Sequence, residues 1–420
     1  MSKLNVVIVG GGMITQMQIL PSLLYLKKQE KLGNITISAL NARPLKVIAD
    51  SDLFTTAFPG ESFISMPDYK KEDLDKAYPD LFKDAIKTLE PYNLVVVAVP
   101  DQLHYGVLKV ALEANQHILC VKPLVLKYAQ AVEIEKEAQK RGLFIGVEYH
   151  KRFDRQNFMA RKMYRDGKFG EFVLGHASLI EPYYYRDSNF QNWFMKENTD
   201  PFTYIGCHYV DLVAFITGLK PVEISIDGKP GKFPNGKEAF MWSDGRVRWE
   251  NGALFDVLNG LGYPNVGAGG NMQGLQMFFE GPKDGGYLEH QDQYRGVKHS
   301  YVMIDEEPGS SYYKEPNPHY FKLLYKGGDY MTPVGYGFES VEASVNAALR
   351  TNEAAKGKSG DAATKKRREV ITKIDEEGII ATPANSSYNE LVVEAGRLSI
   401  LNDGRKVAIE YGDSPKVRFK

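Results

Sequence analysis

Val6-Val7-Ile8-Val9-Gly10-Gly11-Gly12 is an apolar, β-branched run that breaks into three consecutive glycines. Residues 4–9 are almost continuously apolar, as expected of a strand covered on both faces. Residues 13–26 then read as a helix, which Pro21 is predicted to kink. Strand, glycine turn and helix in this order open a βαβ unit. Gly10-Gly11-Gly12-Met13-Ile14-Thr15 fits G-x-G-x-x-G/A at its first two fixed positions. Gly10 permits the tight turn. Gly12 leaves room for a pyrophosphate at the helix N-terminus, over Met13 and Ile14. Thr15 stands in place of the small third residue. The expectation is a dinucleotide-binding turn, with a purely structural glycine turn as the alternative.

Outward from that turn, strands and helices alternate. Strands are predicted at 35–40, 94–99, 117–121 and 143–147, and helices at 72–89, 104–114 and 129–141. This alternation predicts a parallel, doubly wound sheet with its ligand at the carboxyl ends of the strands. The pattern changes after about Tyr149. A helix is predicted at 153–166. Alternating stretches such as Val222-Glu223-Ile224-Ser225-Ile226 then read as antiparallel strands with one covered face. Residues 260–274 are expected to be a loop, 356–368 a charged, mostly solvated stretch and 388–401 a late helix. The expected fold class is α/β. An N-terminal Rossmann domain (1–148) is followed by a C-terminal α+β domain (149–420) with a mainly antiparallel sheet.

The chain has 420 residues, 43% hydrophobic and 25% charged, which suits two globular domains. A formal net charge of −1 gives no basic field for nucleic acid or an anionic membrane. The two cysteines, Cys120 and Cys207, fit a reducing cytoplasm better than a disulfide framework. No signal-peptide pattern opens the chain, and no run approaches the ~20 apolar residues that span a bilayer.

Several residues stand where a cofactor or substrate is expected. Asn41 and Arg43 follow the second strand. An uncharged Asn41 beside Arg43 leans towards NADP over NAD, because neither repels a 2′-phosphate. Pro100 and His104 read as a cofactor-lining loop. Lys122 closes the strand at 117–121, where a doubly wound sheet holds its ligands. Its ammonium there suits a substrate hydroxyl with alkoxide character; a solvated lysine is the alternative. Glu181-Pro182-Tyr183-Tyr184-Tyr185-Arg186 and Gln191-Asn192-Trp193-Phe194 suit either a sugar site or a packed interface. Gln291 to Arg295 is polar enough to line a pocket. No Cys-x-x-Cys or His-Glu-x-x-His spacing supports a metal at Cys207, His208 and Asp211.

The glycine turn, the Val-Ala-Val-Pro strand with His104, Lys122-Pro123 and the Gly206-Cys207-His208-Tyr209-Val210-Asp211 stretch occur in one order. In that order the chain resembles the Gfo/Idh/MocA family of glucose–fructose oxidoreductase and inositol dehydrogenase. The resemblance runs from Val6 through Arg152-Phe153 to Gly404-Arg405-Lys406-Val407. It implies that Lys122 contacts substrate, and its place at a strand end puts it near the nicotinamide. In the family this lysine follows a glutamate, and Val121 stands there instead. The family's Asp-x-Gly-x-His reads Tyr204-Ile205-Gly206-Cys207-His208. His208 matches, Tyr204 replaces the aspartate, and Asp200 is the nearest upstream carboxylate. An unperturbed histidine titrates near ~6.5 and suits proton acceptance at neutral pH. Asp211 is read as structural. Tyr149, Arg152, Trp193 and Asp200 are the expected substrate contacts.

The resulting expectation is an NAD(P)-dependent oxidoreductase. It passes a hydride between the nicotinamide and a hydroxyl-bearing carbon of a sugar, glycoside or cyclitol. Oxidation of a glycoside to a keto-glycoside is one such reaction. Lys122 holds the substrate oxygen, His208 accepts the proton, and Tyr204 assists. The alternatives are a redox-neutral glycosidase or lyase using transient oxidation, and a non-catalytic dinucleotide sensor. A homo-oligomer through the C-terminal sheet is expected, with no nucleic-acid or membrane partner.

Overall fold

The computed structural model describes residues 3–267, 270–291, 299–302, 312–315 and 320–420. It divides into two units, Met1–Phe153 with Phe321–Ser387 and Asp154–Tyr320 with Tyr388–Lys420. Beyond Gln291, the polar stretch to Arg295 lies outside the described residues.

The first unit opens with β1 (Leu4–Val9), α1 (Leu20–Lys28), β2 (Leu32–Ser38), α2 (Arg43–Ala49), α3 (Asp52–Ala57) and β3 (Ile64–Met66). It continues with α4 (Leu81–Lys87), β4 (Leu94–Val97), α5 (His104–Glu113), β5 (His117–Val121), α6 (Tyr128–Arg141) and β6 (Ile145–Glu148). The six strands form one parallel sheet, ordered β3-β2-β1-β4-β5-β6, as the alternation predicts. The order reverses between β1 and β4, which is where such sheets bind ligands. Val6, Val7 and Ile8 are wholly buried, so the continuous apolar run reflects cover on both faces.

Two local expectations change. Pro21 sits in the first turn of α1, where a missing N–H costs little. The irregularity lies upstream instead, as a π-turn over Thr15–Ile19. Residues 72–89 are helical only over Leu81–Lys87. The Asp68 and Asp73 side chains capture the N–H groups of Lys70 and Asp75 and turn the chain before the helix starts.

The second unit contains α7 (Arg155–Arg165), β7 (Glu171–Pro182), α8 (Tyr185–Ser188), α9 (Cys207–Thr217), β8 (Pro221–Lys232), β9 (Glu238–Trp249) and β10 (Leu254–Tyr263). β11 (Met272–Glu280), β12 (Gly285–Gln291), β13 (His299–Val302) and β14 (Tyr312–Glu315) follow. The chain then returns to the first unit with β15 (Lys322–Leu324), β16 (Thr332–Val334), α10 (Tyr336–Ala354), α11 (Gly360–Glu377) and α12 (Pro383–Ser386). Phe338, Val341, Val345, Ala348 and Ile374 join the core of the parallel sheet. The Val147 N–H donates to the Ala381 carbonyl at 2.7 Å, so this returning segment also covers the outer edge of β6. The boundary expected after residue 148 lies near the division after Phe153. The return of 321–387 is a tertiary event, which a linear boundary misses. Residues 356–368 are mostly exposed, as expected, and only Ala363 and Arg367 among them are buried, where α11 packs.

α13 (Tyr388–Ile400), β17 (Val407–Glu410) and β18 (Lys416–Phe419) complete the second unit. Its sheet is eight-stranded, ordered β12-β11-β7-β10-β9-β8-β17-β18. β7 and β10 run parallel, and every other neighbouring pair is antiparallel. α13 packs on β8, where the Ile226 N–H donates to Ser399 Oγ at 2.8 Å. The glycines at 260 and 262 are strand residues rather than loop. A Cβ at Gly260 would lie 2.2 Å from the Trp242 ring, so these glycines let the indole lie flat on β10. Among the described residues, no helix is long and apolar enough to cross a membrane.

Candidate active site

In the first unit, the end of β1 meets its neighbours at very short range. Gly10 has φ +113°, and a Cβ there would lie 2.0 Å from the Ala98 carbonyl oxygen. Glycine is therefore required twice over, by conformation and by space. At Gly12 a Cβ would meet nothing within 4 Å. The space beside it, at the start of the helix carrying Met13 and Ile14, is open. That cradle fits a pyrophosphate. Thr15 compensates for its size by donating from Oγ1 to the Gly10 carbonyl at 2.7 Å.

Arg43, expected near a cofactor ribose, has a partner of its own. The Arg43 guanidinium is held by Asp75, with Nε–Oδ1 at 2.6 Å and Nη2–Oδ2 at 2.5 Å. A paired guanidinium does not offer a free cation to a 2′-phosphate, and Asp75 adds negative charge beside it. Asn41 is half-buried.

Pro100 is half-buried, after β4. His104 is wholly buried, with Nδ1 2.7 Å from the Pro123 carbonyl and Nε2 2.9 Å from the Val99 carbonyl. Its imidazole braces the ends of β4 and β5 from beneath, rather than forming the surface of a cofactor-lining loop. Lys122 follows β5 and is half-buried. Tyr149, Lys151 and Arg152 are buried after β6. His150 stacks on Tyr336 at 5.5 Å between centroids, and Lys151 Nζ lies 5.8 Å from the same ring. Arg152 Nη1 donates to Asn385 Oδ1 at 3.3 Å.

One acidic residue here was not anticipated. Glu148 ends β6 and pairs in register with Val121 of β5. Register partners in a parallel ladder share a face. A carboxyl group thus occupies the strand beside the position where Val121 lacks one. Burial pushes Glu148 up to about 7, against the lowering effect of hydrogen bonds from Ser340 and Gln18. The available signal was an acid directly after a buried apolar run, a rare placement for a buried residue.

In the second unit, His208 lies in the first turn of α9, directly after a π-turn over Phe202–Gly206. Gly206 allows this entry, because a Cβ would lie 2.5 Å from Asn259 Oδ1 and 3.0 Å from the Phe202 ring. His208 is 5% exposed. Tyr204 sits in the π-turn and meets the rings of Trp193 at 5.2 Å and Phe190 at 5.5 Å, edge-on in both cases. Trp193 therefore stands beside Tyr204.

Asp200 does not stand free for substrate. It is wholly buried, accepts from Thr203 N and Oγ1 at 2.8 and 2.9 Å, and pairs with Arg397 at 2.9 Å. Its charge is spent on starting the π-turn and tying it to α13. Asp211 is structural as well: Oδ1 accepts from Tyr388 Oη and Asn389 Nδ2, both at 2.8 Å.

Known proteins share this organisation. The family model described as oxidoreductase family, NAD-binding Rossmann fold, matches residues 4–149. The Gfo/Idh/MocA C-terminal domain matches residues 159–265. D-glucoside 3-dehydrogenase of Escherichia coli (strain K12) is 27% identical over 136 residues, covering 31% of this chain and 37% of that protein. 2,7-Anhydro-N-acetylneuraminate hydratase of the same organism is 24% identical over 195 residues, 42% of this chain and 52% of that protein. The chain spans about a quarter of the length of the first curated relatives it matches, 26% to 27%. The crystal structure of myo-inositol 2-dehydrogenase from Lactobacillus plantarum superposes with a TM-score of 0.61 at 14% identity, covering 97% of this chain and 100% of that one. At that identity the likeness is one of fold. Both halves of the sequence and the strand order agree: the chain belongs to the Gfo/Idh/MocA family of oxidoreductases, with an NAD-binding Rossmann fold.

Proposed function

We propose that this protein is an NAD(P)-dependent dehydrogenase or reductase acting at a hydroxyl-bearing carbon of a sugar, glycoside or cyclitol. The observation that carries the reading is the cradle at Gly10 and Gly12, open beside a helix N-terminus. Gly10, Gly12, Met13 and Ile14 hold the pyrophosphate, Asn41 and Arg43 meet the ribose, and Pro100 and Lys122 line the nicotinamide. His104 contributes by bracing that lining. The bound nicotinamide supplies the hydride chemistry. Lys122 holds the substrate oxygen with its ammonium and stabilises developing negative charge there. His208 accepts the hydroxyl proton, and Tyr204 orients it. Tyr149, Arg152 and Trp193 supply substrate contacts. The glucoside and inositol dehydrogenases among the relatives support the substrate class. NAD is the cofactor that the family description supports, and the Arg43–Asp75 pair weakens the case for NADP.

A second reading is a redox-neutral glycosidase or lyase that keeps its cofactor between turnovers. The similarity to a hydratase favours it. Product analysis separates the two. A dehydrogenase consumes NAD in step with product, whereas the redox-neutral enzyme turns over fully with NAD at enzyme concentration. No turnover across a panel of glycosides and cyclitols, with NAD bound, leaves a dinucleotide sensor.

The oligomer reading rests on the sheet face opposite α13. Leu174, Leu258, Phe278 and Tyr287 are 47%, 43%, 41% and 49% exposed there. Exposed apolar side chains on one flat sheet suit a second copy of the chain. Light scattering tests this, with Phe278→Glu expected to shift the protein to monomer. The buried free thiols of Cys120 and Cys207 support a cytoplasmic setting.

A further inference from the structure

The roles above leave Glu148 unused, yet it is buried and hydrogen-bonded to two other segments of the first unit. It is 3% exposed. Its Oε1 accepts from Gln18 Nε2 at 2.7 Å and from Ser340 Oγ at 2.6 Å. Gln18 Nε2 also donates to the Gly337 carbonyl at 3.0 Å. His150 Nδ1 lies 3.9 Å from the same carboxylate oxygen. One oxygen atom thus joins three distant segments: the end of β6, the start of α10 and the π-turn over Thr15–Ile19.

That π-turn is the continuation of the glycine turn. Thr15, its first residue, donates back to the Gly10 carbonyl, and Gln16 Nε2 donates to the Gly11 carbonyl at 2.9 Å. A π-turn is a rare single-turn insertion in an α-helix, and here groups from β6 and α10 hold it from outside. Gln18 is wholly buried, so losing its acceptor leaves an amide donor with a desolvation cost.

Both donors meet the same oxygen. An amide carbonyl at that point accepts the same two hydrogen bonds without charge. The hold on Gln18 is therefore a matter of position, not of ionisation.

We propose that Glu148 is a positioning residue for the dinucleotide site: through Gln18 it fixes the π-turn, and with it the glycine turn that receives the pyrophosphate. This rests on the cofactor reading above. It separates Glu148 from a charge partner of Lys122 and from a group acting on substrate.

The test is NAD binding to the full-length protein by titration calorimetry, with melting temperature recorded for each variant. Wild type binds NAD; its failure to do so overturns the cofactor reading, and the tether with it. Glu148→Gln is expected to bind within about twofold of wild type. Glu148→Ala and Gln18→Ala are each expected to weaken NAD roughly tenfold, the scale of one buried hydrogen bond. The double variant is expected to lose no more than either single one, because both changes cut the same link. If Glu148→Ala does not fold, Gln18→Ala and Glu148→Gln carry the test. The proposal is overturned if NAD affinity is unchanged in Gln18→Ala while melting temperature falls. It is also overturned if Glu148→Gln loses as much affinity as Glu148→Ala, or if the two losses add.

Discussion

The turn at Gly10 and the entry to α9 at His208 solve a similar problem in different ways. Each sets a proposed site residue beside a π-turn, Thr15–Ile19 in one case and Phe202–Gly206 in the other. At Gly10 the constraint is backbone sterics: the Ala98 carbonyl and a positive φ leave no choice of residue. At His208 the constraint is recruited from afar. Arg397 neutralises Asp200 across 197 residues of sequence, and Asn389 reaches Asp211 across 178. A site built from backbone demands glycines at fixed spacing. A site built from side-chain partners lets the same residue types mean different things.

The largest expected effects set these two constructions against each other. Gly12→Val should abolish dinucleotide binding while leaving the fold intact, since its Cβ meets nothing within 4 Å. Calorimetry and a thermal melt read both halves of that statement; undiminished binding removes the pyrophosphate from this turn. Next, Lys122→Met and His208→Ala should each lower kcat by at least ~100-fold with NAD affinity little changed. A near-wild-type rate in either variant takes that residue out of the chemistry and moves attention to Tyr204 or Tyr149.

Stability effects come below these. The Glu148 carboxyl is raised in the folded state to about 7. The folded protein therefore binds the proton more tightly than the unfolded chain does. The associated stability is full below the unfolded value near ~4.3 and is lost as pH rises through about 7. Relative to Glu148→Gln, wild type should lose roughly 3 kcal/mol or slightly more across that window. Urea unfolding in pH steps measures it, and a pH-independent difference contradicts it. Asp200→Asn should cost about 2 kcal/mol, the worth of charged hydrogen bonds to a buried partner, while kcat holds. A large fall in kcat at unchanged stability would return Asp200 to the substrate. Smallest is the ribose segment. Arg43→Ala should alter the NADP-to-NAD ratio of kcat/KM by less than about fivefold, because Asp75 already pairs the guanidinium at the surface. Asn41→Asp should push the ratio towards NAD. A ratio unmoved by both changes means this segment does not read the ribose.

Legibility in the sequence followed the same division. The parallel sheet was readable because strands covered on both faces need unbroken apolar runs, as in Val6 to Val9. α10 was not read, although Phe338, Val341, Val345 and Leu349 recur at helical spacing and bury in the core of the parallel sheet. Gly260 and Gly262 looked like loop residues; their reason is the Trp242 ring, which belongs to another strand. Arg43 and Asp200 have charges that suit a site, and their ion-pair partners at 75 and 397 lie too far along the chain to be read from the sequence. Glu148 escaped notice because a strand end looks the same whether its acid faces water or a buried glutamine.

Hydride transfer between substrate carbon and nicotinamide is the central claim, and isotope tracing tests it most directly. The protein is incubated with NAD and carbon-deuterated glycosides and inositols, and the nicotinamide is examined by NMR. The account predicts deuterium at nicotinamide C4 for at least one of these substrates, and its loss in His208→Ala. Turnover of a substrate with no deuterium reaching C4, or NAD bound with no transfer from any of them, would contradict it.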